Sequence, residues 1–322
     1  MTDRPKAAGP RGLTSIARIR IDPVIITFIV MILLWAFSLY RVEGFRTLNY
    51  NMLTLRVAAF LAIVAAGQTL VILMGGIDLS VAAVITMTGV VAGNMMTQIG
   101  QVGGIIVTLL IVTSIGIANG LGVTILRLPP LVMTLATLSI VQGILLVYNA
   151  GKPVSGESPF LEFWAKEKIM QVPAPVWVLA GVCLISIVIL HFTPWGRGIY
   201  AIGNNPRAAM LSGVPTMRIQ IATYALCSFF AGITGLLLLG RTGYSSKTAG
   251  DPYMLMSIAA VVIGGTSILG GRGKFIGTVG GAMVLTILIG VLTVENVSES
   301  VRMMIQGGLI LVLLIAYAYS DQ

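Results

Sequence analysis

Apolar stretches close to 20 residues long recur along almost the whole chain, and this recurrence limits its folds more than any other feature. A helix rises 1.5 Å per residue, so about 20 apolar residues carry it across a hydrocarbon layer roughly 30 Å thick. Ten such runs can be drawn, at 24–40, 53–74, 80–98, 104–126, 131–149, 175–192, 219–240, 254–269, 275–294 and 302–319. The eighth is the shortest and has the least definite ends. A β-barrel would also satisfy every backbone group in lipid, but it needs strands of alternating polarity, and runs such as 57–74 do not alternate. The reading is an all-α, polytopic membrane protein of about ten spans with short loops. A basic arm at 1–22 precedes a single transmembrane domain at 23–322.

Composition closes off the alternatives. Of 322 residues, 57% are hydrophobic and only 10% charged, too few to cover a water-facing globule. The 20 Lys and Arg against 11 Asp and Glu lie thinly between the apolar runs rather than massed on one stripe. They are membrane-edge anchors, and nucleic acid is excluded as a partner. Cys183 and Cys227 each stand alone in an apolar run, so no disulfide is expected. With one histidine, His191, and no clustered ligands, no metal site is expected either.

Basic residues ahead of the first run, Arg4, Lys6, Arg11, Arg18 and Arg20, outnumber Arg41 and Arg46 behind it. The N-terminus is therefore placed in the cytoplasm, and an even span count returns the C-terminus there. Ala36-Phe-Ser38 offers a passable signal-peptidase site, but the run at 24–40 exceeds the usual signal core, so an uncleaved anchor is the reading adopted.

No catalytic residue is expected. Gly271-Arg-Gly273-Lys274 lacks the spacing and the hydroxyl of a phosphate-binding loop, and no nucleophile–base pair stands out. Small residues at four-residue spacing (Gly89/Gly93, Gly116/Gly120, Gly273/Gly277, Gly277/Gly281) point instead to close helix packing.

Two stretches break the apolar pattern at double glycines, Gly75-Gly-Ile-Asp78-Leu-Ser80 and Gly264-Gly-Thr-Ser-Ile-Leu-Gly-Gly-Arg272-Gly-Lys274. Paired interruptions in the two halves of a transporter mark its working region, because unwound backbone offers polar groups to a solute. Asp78 has two readings. It is an ionisable group close to a span's interior, and it or Ser80 is a potential cap for the third span. Gln68, Asp78, Asn119, Gln142, Thr266 and Ser267 are the candidates to line or gate a pathway for a small-molecule solute.

The segment Asn205-Pro-Arg-Ala-Ala-Met-Leu-Ser-Gly213 reads as a complete two-turn helix. Asn205 is its N-cap, Pro206 its first residue, and Gly213 its left-handed terminator ahead of Pro215. Its residues Ala208, Ala209, Met210 and Leu211 are expected to expose apolar surface to a soluble partner.

Three stretches together resemble the inner-membrane permeases of ATP-binding-cassette importers of the ribose, galactose, arabinose and autoinducer type. They are Ala66-Gly-Gln-Thr-Leu-Val-Ile-Leu-Met-Gly-Gly-Ile-Asp-Leu-Ser80, Ala201-Ile-Gly-Asn-Asn205 with Arg207-Ala-Ala-Met-Leu-Ser-Gly-Val214, and Ile258-Ala-Ala-Val-Val-Ile-Gly-Gly-Thr-Ser-Ile-Leu-Gly-Gly271. The likeness runs from about residue 50 to 319. It implies a homodimer or heterodimer of permeases, cytoplasmic ATPase subunits that hold ATP and Mg, and a periplasmic solute-binding protein. No cofactor is implied for this chain. The family's coupling loop has the form Glu-Ala-Ala-x-x-x-Gly, which assigns Asn205, Arg207, Ala208, Ala209, Leu211 and Gly213 to ATPase coupling. Arg207 stands where the pattern has an acid. Permeases for nucleosides or branched-chain amino acids are the nearest alternative, and an ion-coupled carrier, which would want more buried ionisable groups, is a further one.

Overall fold

The computed structural model describes residues 22–320, so the expected basic arm at 1–22 lies, except for Asp22, outside the described residues. Thirteen helices follow one another among them. The first five are α1 (Pro23–Arg41), α2 (Leu48–Leu73), α3 (Val81–Ile99), α4 (Gln101–Thr124) and α5 (Pro130–Asn149). A loop then carries strand β1 (Val154–Ser155), helix α6 (Pro159–Lys166) and the hairpin β2 (Lys168–Ile169) and β3 (Val172–Pro173). Next come α7 (Ala174–Ile187), extended by a π-helical turn at Val188–Phe192, then α8 (Pro194–Asn204), α9 (Pro206–Leu211) and α10 (Thr216–Thr242). Strand β4 (Tyr244–Ser245), α11 (Asp251–Ile263), α12 (Phe275–Val294) and α13 (Glu299–Ser320) complete the chain.

Nine of the ten expected runs coincide with helices along their length, and eight helices among the described residues are long and apolar enough to span a membrane. The tenth run falls on α13, whose side chains at 309, 310 and 312–320 lie outside the described residues. The expected span at 254–269 is corrected. Its helix, α11, ends at Ile263 after 13 residues, a rise of about 20 Å that by itself falls short of the hydrocarbon thickness. Apolar character continues through Ile268 and Leu269, but Gly265 turns the backbone left-handed (φ +85°) and the chain leaves the helix.

Helix α2 is the axis of the bundle. Some 83% of its most apolar window is buried, against 11% for α1, and its apolar residues run around the whole helix. Helices α7, α10, α11 and α12 all pack on it. By contrast α1, α4 and α5 present exposed Ile, Leu and Val, as lipid-facing helices do.

Glycines set the closest approaches. A Cβ at Gly67 would stand 2.7 Å from the Cα of Cys227, and one at Gly120 2.5 Å from the Cα of Ile221, so α10 seats directly on the backbones of α2 and α4. The spaced pairs Gly116/Gly120 and Gly277/Gly281 face neighbouring helix backbones, and Gly89/Gly93 face β4 and β1. Gly273, expected to pair with Gly277 on one helix face, instead lies before the start of α12.

The bundle has two distinct ends. At one, α6 packs on α10, with Leu161 against Gly240, and β1 pairs antiparallel with β4. At the other, α8 and α9 form a pair of short helices between α7 and α10.

Candidate functional site

Both double-glycine breaks begin with the same helix terminus. At the end of α2, Gly75 (φ +79°) donates its N–H to the Ile72 carbonyl (2.8 Å) and Gly76 to that of Val71 (3.1 Å). At the end of α11, Gly265 donates to Val262 (2.9 Å) and Thr266 to Val261 (3.2 Å). Each is a Schellman terminus, in which a left-handed glycine satisfies two of the orphan carbonyls of the last turn.

Beyond the first terminus the chain turns back beside α2. In the amide orientation that satisfies both groups, Gln68 donates to the Asp78 carbonyl and accepts from the Asp78 N–H, both at 3.2 Å. Gln68 thus stands in for a missing backbone partner. The Asp78 side chain accepts from the Ser80 N–H (2.9 Å) and the Ser80 hydroxyl (2.5 Å). In turn Ser80 Oγ accepts from Asn119 Nδ2 (2.9 Å), and Asn119 Oδ1 accepts from the Thr137 hydroxyl (2.6 Å). Thr134 donates to the Ile77 carbonyl (3.1 Å) and accepts from the Leu79 N–H (3.2 Å). All of these side chains are buried.

The capping reading of Asp78 is corrected by this geometry. Ser80 holds the N-cap position of α3 and its side chain makes no cap bond, while Asp78 bonds the N–H of Ser80 itself. Asp78 therefore shapes the break rather than the first turn of the helix. Its second oxygen, Oδ2, is buried without a hydrogen-bond partner among the described residues.

The second break folds into a tight loop, with the Ser267 N–H bonded to the Arg272 carbonyl (2.9 Å) and the Gly270 N–H to the Ser267 carbonyl (3.1 Å). Thr266 is fully buried, and its hydroxyl likewise has no partner among the described residues. The loop lies on the first break: the Gly271 N–H bonds the Leu73 carbonyl (2.9 Å), and a Cβ at Gly270 would stand 2.7 Å from the Gly75 nitrogen. It is also tied to α8. Tyr200 donates its hydroxyl to the Gly273 carbonyl (3.0 Å), and Asn204 donates to that of Gly271 (3.2 Å). Gly203 closes the junction, since a Cβ there would overlap the Leu73 carbonyl oxygen.

The candidate pathway residues thus separate. Gln68, Asp78 and Asn119 belong to one network, and Thr266 and Ser267 lie on the adjoining loop. Gln142 is exposed on α5 and takes no part. Tyr200 and Gly203, which join the two breaks to α8, were not among the expected residues. Nor was α8 itself, although Thr193-Pro194 is a legible helix start: Thr193 Oγ1 accepts from the Gly196 N–H at 3.2 Å.

Helix α9 has the expected terminal structure. Asn205 Oδ1 accepts from the Ala208 N–H (3.0 Å), Pro206 stands in the first turn, and Gly213 is left-handed (φ +80°). Its faces differ from expectation, because Ala209 is buried toward the bundle while Arg207, Ala208, Met210 and Leu211 are exposed.

The fold is thus a many-helix membrane bundle in which two terminated helices meet at a polar junction. The family described as "Branched-chain amino acid transport system / permease component" matches residues 50–314, and the chain belongs to it. It is accordingly a transport component and a multi-pass protein of the inner membrane. The chain is 35% identical to the ribose import permease of Haemophilus influenzae over 91% of this chain and 92% of that one. It is 36% identical to the ribose import permease of Escherichia coli K12 over 83% and 85%, and 34% identical to the fructose import permease of Rhizobium meliloti over 82% and 76%. No solved structure matches it. The resemblance carried by the three motifs is borne out.

Proposed function

We propose that this chain forms the translocation pathway of an importer for a sugar of the ribose and fructose class, with a second permease subunit completing the pathway. A periplasmic binding protein delivers the sugar, and a cytoplasmic ATPase, holding ATP and Mg, drives the cycle. In this reading the α8–α9 end faces the cytoplasm and the α6 end faces outward.

The observation that carries it is the exposed apolar pair Met210 and Leu211 on α9, 57% and 78% exposed, beside a helix bonded to the second break. Apolar side chains held in water on a capped two-turn helix are explained by a partner that covers them. Motion of such a partner reaches the breaks through α8, by way of Tyr200, Asn204 and Gly203, and the Gly271–Leu73 bond extends it to the end of α2. Arg207 sits on the exposed face, so the usual acidic contact is replaced by a basic one.

Leu211→Glu tests the assignment, since position 211 touches little of the chain itself. The expected result is a normally folded permease, with stability changed by less than about 0.5 kcal/mol, that no longer co-purifies with its ATPase or imports sugar. Undiminished assembly and substrate-stimulated ATP hydrolysis would overturn it. Ala209, being buried, is unsuitable for this test: a charge there would damage the permease itself.

A further inference from the structure

A cavity of about 420 Å3 lies at the α6 end of the bundle, far along α2 from both breaks. The first turns of α2, α11 and α13 and the last turns of α10 and α12 enclose it. Its size falls in the range of small-ligand sites, about 300 to 1,000 Å3, and its wall is mostly apolar with a few convergent polar groups.

The state of those polar groups identifies the ligand chemistry. Thr54, Thr286 and Thr293 each give their hydroxyl proton to a carbonyl of their own helix, at 2.9, 2.8 and 2.6 Å. Thr54 and Thr286 therefore face the cavity as acceptors, while Thr293 Oγ1 already accepts from Arg302. Arg302 is engaged with Thr293 and with Glu299, whose carboxylate lies 3.4 Å away. Arg241 lies over the ring of the buried Phe60 at 5.8 Å, and Gln306 offers both a donor and an acceptor. A headgroup phosphate accepts hydrogen bonds and donates none, so it would leave the threonines unmatched. A polyol, whose every hydroxyl both donates and accepts, matches a wall that mixes acceptors with guanidinium and amide donors.

We infer that this cavity is a binding site for the sugar on the outward side of the permease, occupied after the sugar leaves its binding protein and before it reaches the breaks. The inference rests on the importer reading and adds to it the residues that first hold the solute, Arg241, Thr54, Thr286 and Gln306.

Thiol protection tests it in the assembled importer. Leu53→Cys, in a Cys183→Ser background, places a reactive group on the cavity wall, and labelling by a membrane-impermeant maleimide is timed with and without D-ribose, fructose and allose. Uptake of each sugar is measured on the same preparation. A sugar at about nine times its dissociation constant leaves roughly one site in ten free, so labelling slows about ten-fold. Adding Gln306→Leu raises the sugar concentration needed by about ten-fold while assembly persists. A sugar that is imported without protecting the introduced thiol overturns the cavity site and leaves the importer reading standing. Import of none of the three overturns both. Protection that follows phosphatidylglycerol in place of phosphatidylcholine in the nanodisc, and not the sugar, also overturns the site, because the occupant would then be a lipid.

Discussion

The two breaks start alike and finish differently. The Schellman termini at Gly75 and Gly265 correspond bond for bond, yet the first is followed by a segment enclosed in side-chain hydrogen bonds and the second by a loop made of backbone turns and glycines. Gln68, Ser80, Asn119 and Thr137 tie the first break to α2, α3, α4 and α5 at once. The second has Gly270, Gly271 and Gly273 at positive φ, a Thr266 hydroxyl without a partner among the described residues, and bonds that lead to α8. One terminus can thus introduce two differently held segments, and the difference lies in what the following residues bond to. In the transport cycle proposed above, the first break is the anchor and the second is the part that α8 displaces.

The largest effect expected from this contrast comes from destroying the anchor. Asp78→Leu leaves the Ser80 N–H and hydroxyl buried without their acceptor, at a cost of about 2–4 kcal/mol, and loosens the hydroxyl to which Asn119 donates. Uptake should fall below detection, and thermal unfolding in detergent should shift clearly downward. Asp78→Asn keeps the accepting oxygen and should retain substantial uptake. If Asn abolishes ATP-driven uptake in a well-folded complex, the carboxylate acts through its charge, and the anchor description fails.

A smaller effect belongs to the movable side. Tyr200→Phe removes one hydrogen bond to the Gly273 carbonyl, worth about 1 kcal/mol, and leaves the ring in place. The contrast requires that this change separate ATP hydrolysis from transport, so that more ATP is hydrolysed per sugar imported while the complex stays assembled. Loss of stability with unchanged coupling would make Tyr200 an ordinary packing residue and remove the distinction between the breaks.

Much of this was legible in the sequence, and the limits have physical causes. Apolar runs reveal spans because burial in lipid constrains every residue of a helix, and both breaks announced themselves through paired glycines. Hydropathy overran the end of α11 because Ile268 and Leu269 remain apolar after the helix has stopped; only the left-handed Gly265 marks that end. Ala209 was placed on the wrong face of α9 because six residues of mostly small or apolar type carry no readable periodicity. The network that Asp78 enters through Ser80 continues into α4 and α5, some 40 to 60 positions along the chain, and no local pattern singles out Asn119 while dismissing Gln142. The cavity gathers five helix ends, which a linear reading cannot assemble.

The smallest predicted effect lies where the movable break joins the rest of the bundle. Lys274, the last residue before α12, bonds Asp22, the residue that caps α1 by accepting from the Val24 N–H at 3.1 Å. The Lys274 ammonium, followed by that backbone bond, holds the Asp22 carboxyl below its ordinary value of 3.8. A carboxyl depressed on folding stabilises the protein above its unfolded value, and the contribution disappears as pH falls through the lower, folded one. Both side chains are water-accessible, so the contribution is small and screened by salt. Lys274→Gln should therefore lower the melting temperature slightly at neutral pH, by less than Tyr200→Phe does. The difference from wild type should shrink as pH falls below the ordinary carboxyl value and vanish below the lowered, folded one, and it should also vanish at neutral pH in about 1 M salt, where the screening length is near 3 Å. Melting curves of the two proteins at several pH values and salt concentrations provide the check. A shift as large as that of Asp78→Leu, or one that survives acid and salt, would mean that the second break is anchored through Lys274 and that the two breaks are alike after all.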